Sequence, residues 1–330
     1  MKVRAILFHQ HGNPTEVAGV ESGDLPGPQP HEALVRMAAA PINPADLNKI
    51  EGKYGLERPS LPRVAGGEGA GVVEAIGAEV RRVRIGDLVI LPGTVGTWCE
   101  ACLVDAAALV VVPPGIAPGH AAMLRVNPST AFRMLRDMVL LQPGDWVVQN
   151  AANSAVGRAV IQLARTMGLR TLSLVRRVGL LEELRGLGGD AVLLDDEAWP
   201  AAARDIFGEA APRLALNAVG GDSALRLANV LASGGTVVTF GAMGRQPLRI
   251  PNGLLIFRDI RWRGFWISQW FRAASPQALA AMWAEIFAHA QRGLLHAPVE
   301  AEYPLDACAE ALAHAQKGGR AGKILFRFTP

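Results

Sequence analysis

The segment QNAANSAVGRAV, residues 149–160, decides how this chain is read. A short apolar run, DWVVQ, leads into it, and a helical pattern, AVGRAVIQLARTMG, leads out. Val156, Val160, Leu163 and Met167 recur at spacings of four, three and four, which puts them on one helix face. Strand, tight loop and helix in that order form the unit that binds dinucleotides. Its fingerprint has three glycines, serving the turn, the approach of the pyrophosphate and helix packing. Here Ala152 and Ser154 occupy the first two places and only Gly157 keeps its own. A helix N-terminus entered from a buried strand still offers backbone N–H groups and a positive dipole end to a phosphate. Alanine and serine are the next smallest residues after glycine, and Ser154 adds a hydroxyl donor. A plain strand–helix connection would read the same way, so the loop alone does not decide binding.

The next strand supplies the deciding partner. In NAD enzymes an acid about 20 residues beyond the loop holds the ribose 2′-hydroxyl. RTLSLV instead runs into Arg176 and Arg177, with no acid before Glu182. A guanidinium matches a phosphate in charge and fork geometry, so this strand end suits the 2′-phosphate of NADPH. The bland alternative is a solvated strand end.

Outward from the loop, strand-like and helical runs alternate: LLEELRGLG, DAVLLD, RLALNAV, SALRLANVLASG, GTVVTFG and IRWRGFW. That alternation predicts a doubly wound parallel sheet of α/β class. After Trp270 the run SPQALAAMWAEIFAHAQRG predicts one long helix, with Ser275 as N-cap, Pro276 in the first turn and Gly293 beyond the end. Residues 1 to about 115 read differently, as short alternating runs such as HEALVRMAAA and GDLVILPG between Gly/Pro turns, a β-rich texture. The tail GKILFRF shares it. We therefore expect a β-rich domain of residues 1–118 and 272–330, and a nucleotide domain of residues 119–271.

The chain has 330 residues, half of them hydrophobic and 19% charged, which is globular composition. A formal charge of +3 with no basic block gives little support to nucleic-acid or membrane binding. No apolar run reaches transmembrane length, and MKVRAILFHQ alternates like a strand rather than a signal peptide. Three cysteines provide no disulfide framework, so a cytoplasmic setting is expected.

INPADLN, GGEGAGVVEAIG and GDLVI resemble the zinc-free, quinone reductase-like branch of the medium-chain dehydrogenase/reductase superfamily. More narrowly, KIEGKYGL, RVNPSTAFRML, QNAANSAVGRAVIQLA, LNAVGG, TFGAM and LLIFRDIRWRGFWISQW are similar to the trans-2-enoyl thioester (enoyl-CoA) reductases of the mitochondrial type. The resemblance covers nearly the whole chain in order. It implies a GroES-like catalytic domain beside a Rossmann domain, NADPH as cofactor and a role in fatty acid metabolism. It also implies an acyl thioester substrate, on CoA or acyl carrier protein, and a homodimer formed along the last strand of the nucleotide domain.

Zinc is not expected. The alcohol-oxidising relatives carry a ligand histidine in Gly-His-Glu, where this chain has Gly66-Gly67-Glu68, and no ligand cysteine lies near INPAD. Cys99 and Cys102 form a lone CxxC that reads as strand. Without a Lewis acid, reduction of a C=C conjugated to a carbonyl remains. That reaction needs a donor for the enolate and a proton source protonated at neutral pH. Tyrosine, with a reference pKa of about 10, meets both needs. Of two tyrosines, Tyr303 in EAEYPL reads as packing, while Tyr54 in EGKYGLERP occupies the motif of the family's proton-donating tyrosine. Lys49, Lys53 and Arg58 nearby are too dispersed to assign to a phosphate.

Other roles follow from the resemblance, motif by motif. Asn127, then Asn153, Ser154, Ala155 and Val156, then Arg176 and Arg177 would contact the cofactor. So would Phe240, Gly241, Ala242 and Met243. Phe265, Trp266 and Ile267 would flank nicotinamide and substrate, and Lys323 in GKIL would close over the cofactor. Ala155 and Ala242 stand where many relatives have glycine, which is tolerable while φ stays negative. Arg158 stands where glutamine is common and would favour phosphate. An NADPH:quinone or enone oxidoreductase on the same scaffold is the alternative, and a non-catalytic NADPH-binding redox sensor a further one.

Overall fold

Residues 1–55 and 60–328 are described by the computed structural model, and they divide into two units. One comprises Met1–Val126, Ala290–Arg292 and Ala297–Pro330; the other comprises Asn127–His289 and Gly293–His296.

The second unit is built on a six-stranded, all-parallel sheet. Its spatial order is Ala191–Leu194, Arg170–Val175, Trp146–Gln149, Leu214–Asn217, Thr236–Thr239 and Arg261–Gly264. In chain order this is 3-2-1-4-5-6, the Rossmann arrangement, with its switch point beside the strand that feeds the quoted loop. The inner strands are apolar along their length because both faces are covered: Val147, Val148, Leu172, Leu174, Leu214, Ala215, Val237 and Val238 are all buried. Trp146 meets the edge of Phe207, at the end of helix Trp199–Phe207, with ring centroids 5.2 Å apart.

This unit extends beyond the expected end at residue 271, taking in residues 272–289. The reason is aromatic. Phe271, at the end of the short helix Ile267–Ala273, stacks on Trp283 at 6.2 Å, and Trp283 stacks on Phe287 at 5.4 Å. Trp283 and Phe287 lie one turn apart on helix Pro276–Gln291, so a single apolar face fastens that helix here. Ser275 caps it as expected, its Oγ accepting from Ala278 N–H at 3.2 Å.

The first unit is β-rich and GroES-like. Strands Ala18–Asp24, Lys2–Phe8 and Arg63–Val64 form a small antiparallel sheet. A seven-stranded sheet centres on the long strand Glu32–Pro41. The tail strand Lys323–Arg327 returns to pair antiparallel with that strand, Phe326 opposite Ala40. Phe326 and Trp98 meet at 5.2 Å in a core with Phe8, Met37, Ile42 and Ile50. Ile42 and Ile50 fix the helix Pro44–Ile50, which carries much of the chemistry described next.

Candidate cofactor and catalytic residues

The nucleotide loop solves the missing-glycine problem by moving its turn. Ala151, not Ala152, takes the left-handed conformation, with φ 48°. Such a residue holds strain of order 1–3 kcal/mol. Ala152 is then free to be an ordinary, fully buried residue whose N–H donates to Leu174 O at 3.0 Å. Ser154 caps helix Ala155–Thr166, its Oγ accepting from Gly157 N–H at 3.1 Å. That leaves the hydroxyl proton to donate outward, and the Ala155 and Val156 N–H groups lack intrahelical acceptors. Gly157 has no room for a side chain. A Cβ there would lie 2.5 Å from Ala152 O and 2.6 Å from Ala152 Cα. Ala155 and Ala242 are absent from the positive-φ residues, so their methyl groups fit.

Arg176 and Arg177 are exposed directly after strand Arg170–Val175. Arg176 makes no hydrogen bond or ion pair among the described residues, and its guanidinium is available to a ligand. Arg158 is not. Its buried side chain donates to Asn153 O at 3.1 Å and to Glu183 Oε1 at 2.5 Å. The expected phosphate contact is therefore corrected: Arg158 ties the loop to the following helix instead.

Beneath the loop lies a buried polar network that sequence reasoning missed. Asn150 Nδ2 donates to Asn217 Oδ1 and Ser223 Oγ, both at 2.9 Å. Ser223 donates to Asp195 Oδ2 at 2.6 Å, and Arg226 closes the chain on Asp195 Oδ1 at 2.9 Å. Asn217 also accepts from the N–H groups of Val219 and Gly220 and donates to Thr239 Oγ1 at 3.1 Å. The network locks the carboxyl ends of four strands, where ligands of open parallel sheets bind. Asp195, whose N–H donates to Val175 O at 2.7 Å just before the two arginines, is thereby committed within the protein.

Most of the other residues expected to contact the cofactor follow strands of the same sheet. Phe240 N–H donates to Asn217 O and Met243 N–H to Ala218 O, so the stretch 240–243 lies across the network. Gly241 approaches Ala218 O so closely that a Cβ would sit 3.1 Å from it. Phe240 and Gly241 are half-buried, while Ala242 and Met243 are exposed. Phe265 follows the sixth strand, its N–H donating to Thr239 O at 3.0 Å. Trp266 is 40% exposed under the Arg272 guanidinium at 4.9 Å, whereas Ile267 is buried. Asn127 opens helix Asn127–Asp137 and is half-buried.

In the GroES-like unit, Tyr54 is delivered by the end of helix Pro44–Ile50. Gly52, with φ +71°, donates to Lys49 O and reverses the chain; a Cβ there would also strike His11 at 2.8 Å. Tyr54 follows, half-buried, with Lys49 Nζ 5.5 Å from its ring centroid. Arg58 lies outside the described residues. At the other end of the helix, Asn43 N–H donates to Asp46 Oδ2 at 2.9 Å and Asn43 Nδ2 to Glu68 Oε2 at 2.9 Å. Lys323 Nζ donates to Asn43 Oδ1. Asp46, Glu68 and Lys323 thus form a buried charge cluster. Burial pushes both carboxyls up and the Lys323 ammonium down, while the attraction between them pulls each partly back. Arg125, facing Glu68, is held down to about 10 by burial.

This cluster does not fit zinc. A side chain at Gly67 would begin 2.8 Å from Lys49 Nζ and 3.1 Å from Asp46 Oδ1, so an ammonium already fills the space a ligand would need. Among the described residues no group of three or more His, Cys, Asp or Glu is arranged to hold a metal. Cys99 and Cys102 are buried neighbours, and their contact with each other, together with burial, holds the Cys99 thiol well above its usual range. Tyr303 does more than pack: its hydroxyl meets His314 Nδ1 at 2.9 Å, and His314 Nε2 meets Glu300 at 2.9 Å.

Comparison with known proteins places this geometry. The mitochondrial enoyl-[acyl-carrier-protein] reductase of Mus musculus is 42% identical over 322 residues, covering 96% of this chain and 86% of the relative. This chain belongs to that enoyl thioester reductase family. Within the broader medium-chain dehydrogenase/reductase superfamily, residues 29–137 match the alcohol dehydrogenase GroES-like domain and residues 155–284 the zinc-binding dehydrogenase domain. Among solved structures, Etr1p of Candida tropicalis, determined with NADP and crotonyl-CoA, aligns with TM-score 0.90 at 25% identity, over 99% of this chain and all of that one. A Bacillus thuringiensis protein assigned as an NADPH:quinone reductase aligns with TM-score 0.93 at 28% identity, over the whole of both chains.

Proposed function

We propose that this protein is an NADPH-dependent reductase of the C=C bond of 2-enoyl thioesters. One observation carries the reading: 42% identity across 96% of the chain to enzymes named for that activity. The alternative, an NADPH:quinone or enone reductase, is favoured by the Bacillus thuringiensis likeness, but at 28% identity that likeness is the weaker guide.

NADPH fits the residues present. The first turn of Ala155–Thr166, with Asn153, Ser154, Ala155 and Val156, would hold the pyrophosphate, and Arg176 with Arg177 the 2′-phosphate. Asn127, Phe240, Gly241, Ala242, Met243, Phe265, Trp266, Ile267 and Lys323 are assigned to the cofactor by family motif. When bound, the cofactor supplies a hydride to the β-carbon of the enoyl group. Negative charge then builds on the thioester oxygen. Tyr54 is the donor we assign to that enolate and the source of the proton for the α-carbon.

The acyl carrier we propose is CoA or acyl carrier protein, since the relatives are named for the latter and Etr1p was solved with a CoA ester. A homodimer along the sixth strand is supported by an open sheet edge at Arg261–Gly264 and by Phe257, 83% exposed, with Ile256 beside it. For its compartment we propose the cytosol, supported by three free thiols, although the relatives are named mitochondrial. Among the described residues no helix is long and apolar enough to cross a membrane. The test is NADPH consumption across enoyl-CoA chain lengths and quinones: higher kcat/KM on an enoyl-CoA is expected, and turnover of quinones alone would overturn the reading.

A further inference from the structure

Lys49 has no place in the roles assigned above, yet its surroundings are built for it. It lies in the last turn of helix Pro44–Ile50, where the dipole favours a cation. Its ammonium is 4.0 Å from Asp46 Oδ1 and 5.5 Å from the Tyr54 ring centroid. The bare backbone of Gly67 makes room for it, since a Cβ there would intrude to 2.8 Å. Asp46 is buried and pinned by the Asn43 N–H, so it holds the ammonium from one side while Tyr54 lies on another. A half-buried lysine spanning a fixed carboxylate and an aromatic ring is not an ordinary solvated surface charge.

We propose that Lys49 positions Tyr54 and stabilises the negative charge its oxygen acquires when it gives up its proton. The inference rests on the proton-donor reading of Tyr54. In the step, the Tyr54 O–H bond breaks and the α-carbon–hydrogen bond forms from the enolate electron pair. The O–H electron pair stays on the phenol oxygen, and water later returns the proton. A cation near the developing phenolate lowers the energy of that charge-separated state; the same cation makes no comparable gain with the neutral phenol. The other charged or titratable groups around this helix are Asp46, Glu51, Lys53, Glu68, Lys323, Arg125 and His11. His11 meets Ile50 O at 3.2 Å, and Glu51 pairs with Lys53 at 3.0 Å. Lys323 is engaged with Asn43 and the two buried carboxylates, whereas the Lys49 ammonium lies against the Tyr54 ring.

Steady-state kinetics on crotonyl-CoA with NADPH, measured across pH for Lys49→Met, Lys49→Arg, Tyr54→Phe and Lys49→Met/Tyr54→Phe, tests this. Lys49→Met keeps the stem and removes the charge. Its kcat should fall roughly 10- to 100-fold with little change in KM, and the alkaline limb of its kcat profile should move to higher pH. Lys49→Arg should restore the limb and most of the rate. In the Tyr54→Phe background the Lys49 substitution should cost nothing further. An equal fall in both backgrounds, or an unmoved limb, overturns the role of Lys49 while leaving Tyr54 as the donor. An unchanged kcat in Tyr54→Phe alone overturns the donor reading, and this inference with it.

Discussion

Replacing Gly157 by alanine should dismantle the nucleotide half-site, and the size of the effect follows from the geometry. The added Cβ would sit 2.5–2.7 Å from the Ala152 O, Cα and C atoms, all of them backbone. Ordinary carbon contacts need about 3.5–4.0 Å, so loop and helix must part by about 1 Å. The helix cannot drift freely, because Gln149 Nε2 donates to Gly157 O at 3.0 Å and Ser154 Oγ accepts from Gly157 N–H at 3.1 Å. Overpacking of this kind costs about 1–3 kcal/mol, and each buried hydrogen bond lost adds about 1 kcal/mol. The total is roughly 3–5 kcal/mol, or a Tm about 10 °C lower for a domain of this size. NADPH affinity, read by fluorescence titration, should fall more than tenfold as the first-turn N–H groups leave their register. Ser154→Ala is the comparison for Tm, because it removes the cap without adding a backbone clash and should cost about 1 kcal/mol. A Gly157→Ala protein with unchanged Tm and NADPH affinity would refute the close-approach argument.

Three further outcomes are expected. Arg176→Ala with Arg177→Ala should raise the NADPH KM at least tenfold, as one charge-assisted contact to phosphate contributes about 1.5–3 kcal/mol, and should leave NADH kinetics nearly unchanged; equal use of both cofactors by the unmodified protein would refute the assignment. Tyr303→Phe should lower Tm slightly, through loss of the His314 hydrogen bond, while leaving kcat intact; a large fall in kcat would place Tyr303 in the chemistry. Exhaustive chelation should leave activity unchanged, and loss of a stoichiometric zinc together with activity would overturn the argument that the Lys49 ammonium fills the ligand space at Gly67.

The Rossmann unit was legible because a buried parallel strand writes itself as an uninterrupted apolar run and each helix as a three-four spacing. Leu214–Asn217 and Thr236–Thr239 needed nothing more. The end of that unit was not legible. Helix Pro276–Gln291 announces its own limits through Ser275 and Gly293, but which unit it joins depends on Phe271 meeting Trp283, a contact the spacing alone cannot specify. The same holds for the polar network. Asn150, Asp195, Asn217 and Ser223 come together only because the sheet order brings three strand ends and the start of helix Gly221–Val230 within reach of one another. Arg158 misled for a related reason, since its partner Glu183 belongs to the next helix. Tyr54 stood out early because the chain has only two tyrosines, whereas Lys49 became visible once the Gly67 backbone was placed beside it.

Isotope placement in the product reads hydride delivery to an enoyl thioester without an intervening assumption. Crotonyl-CoA reduced with NADPH deuterated at the transferring C4 position, in ordinary water, should give butyryl-CoA with one deuterium on the β-carbon and none on the α-carbon. Deuterium at the α-carbon, or untouched crotonyl-CoA from a preparation that consumes NADPH with quinones, would rule out enoyl thioester reduction by this route.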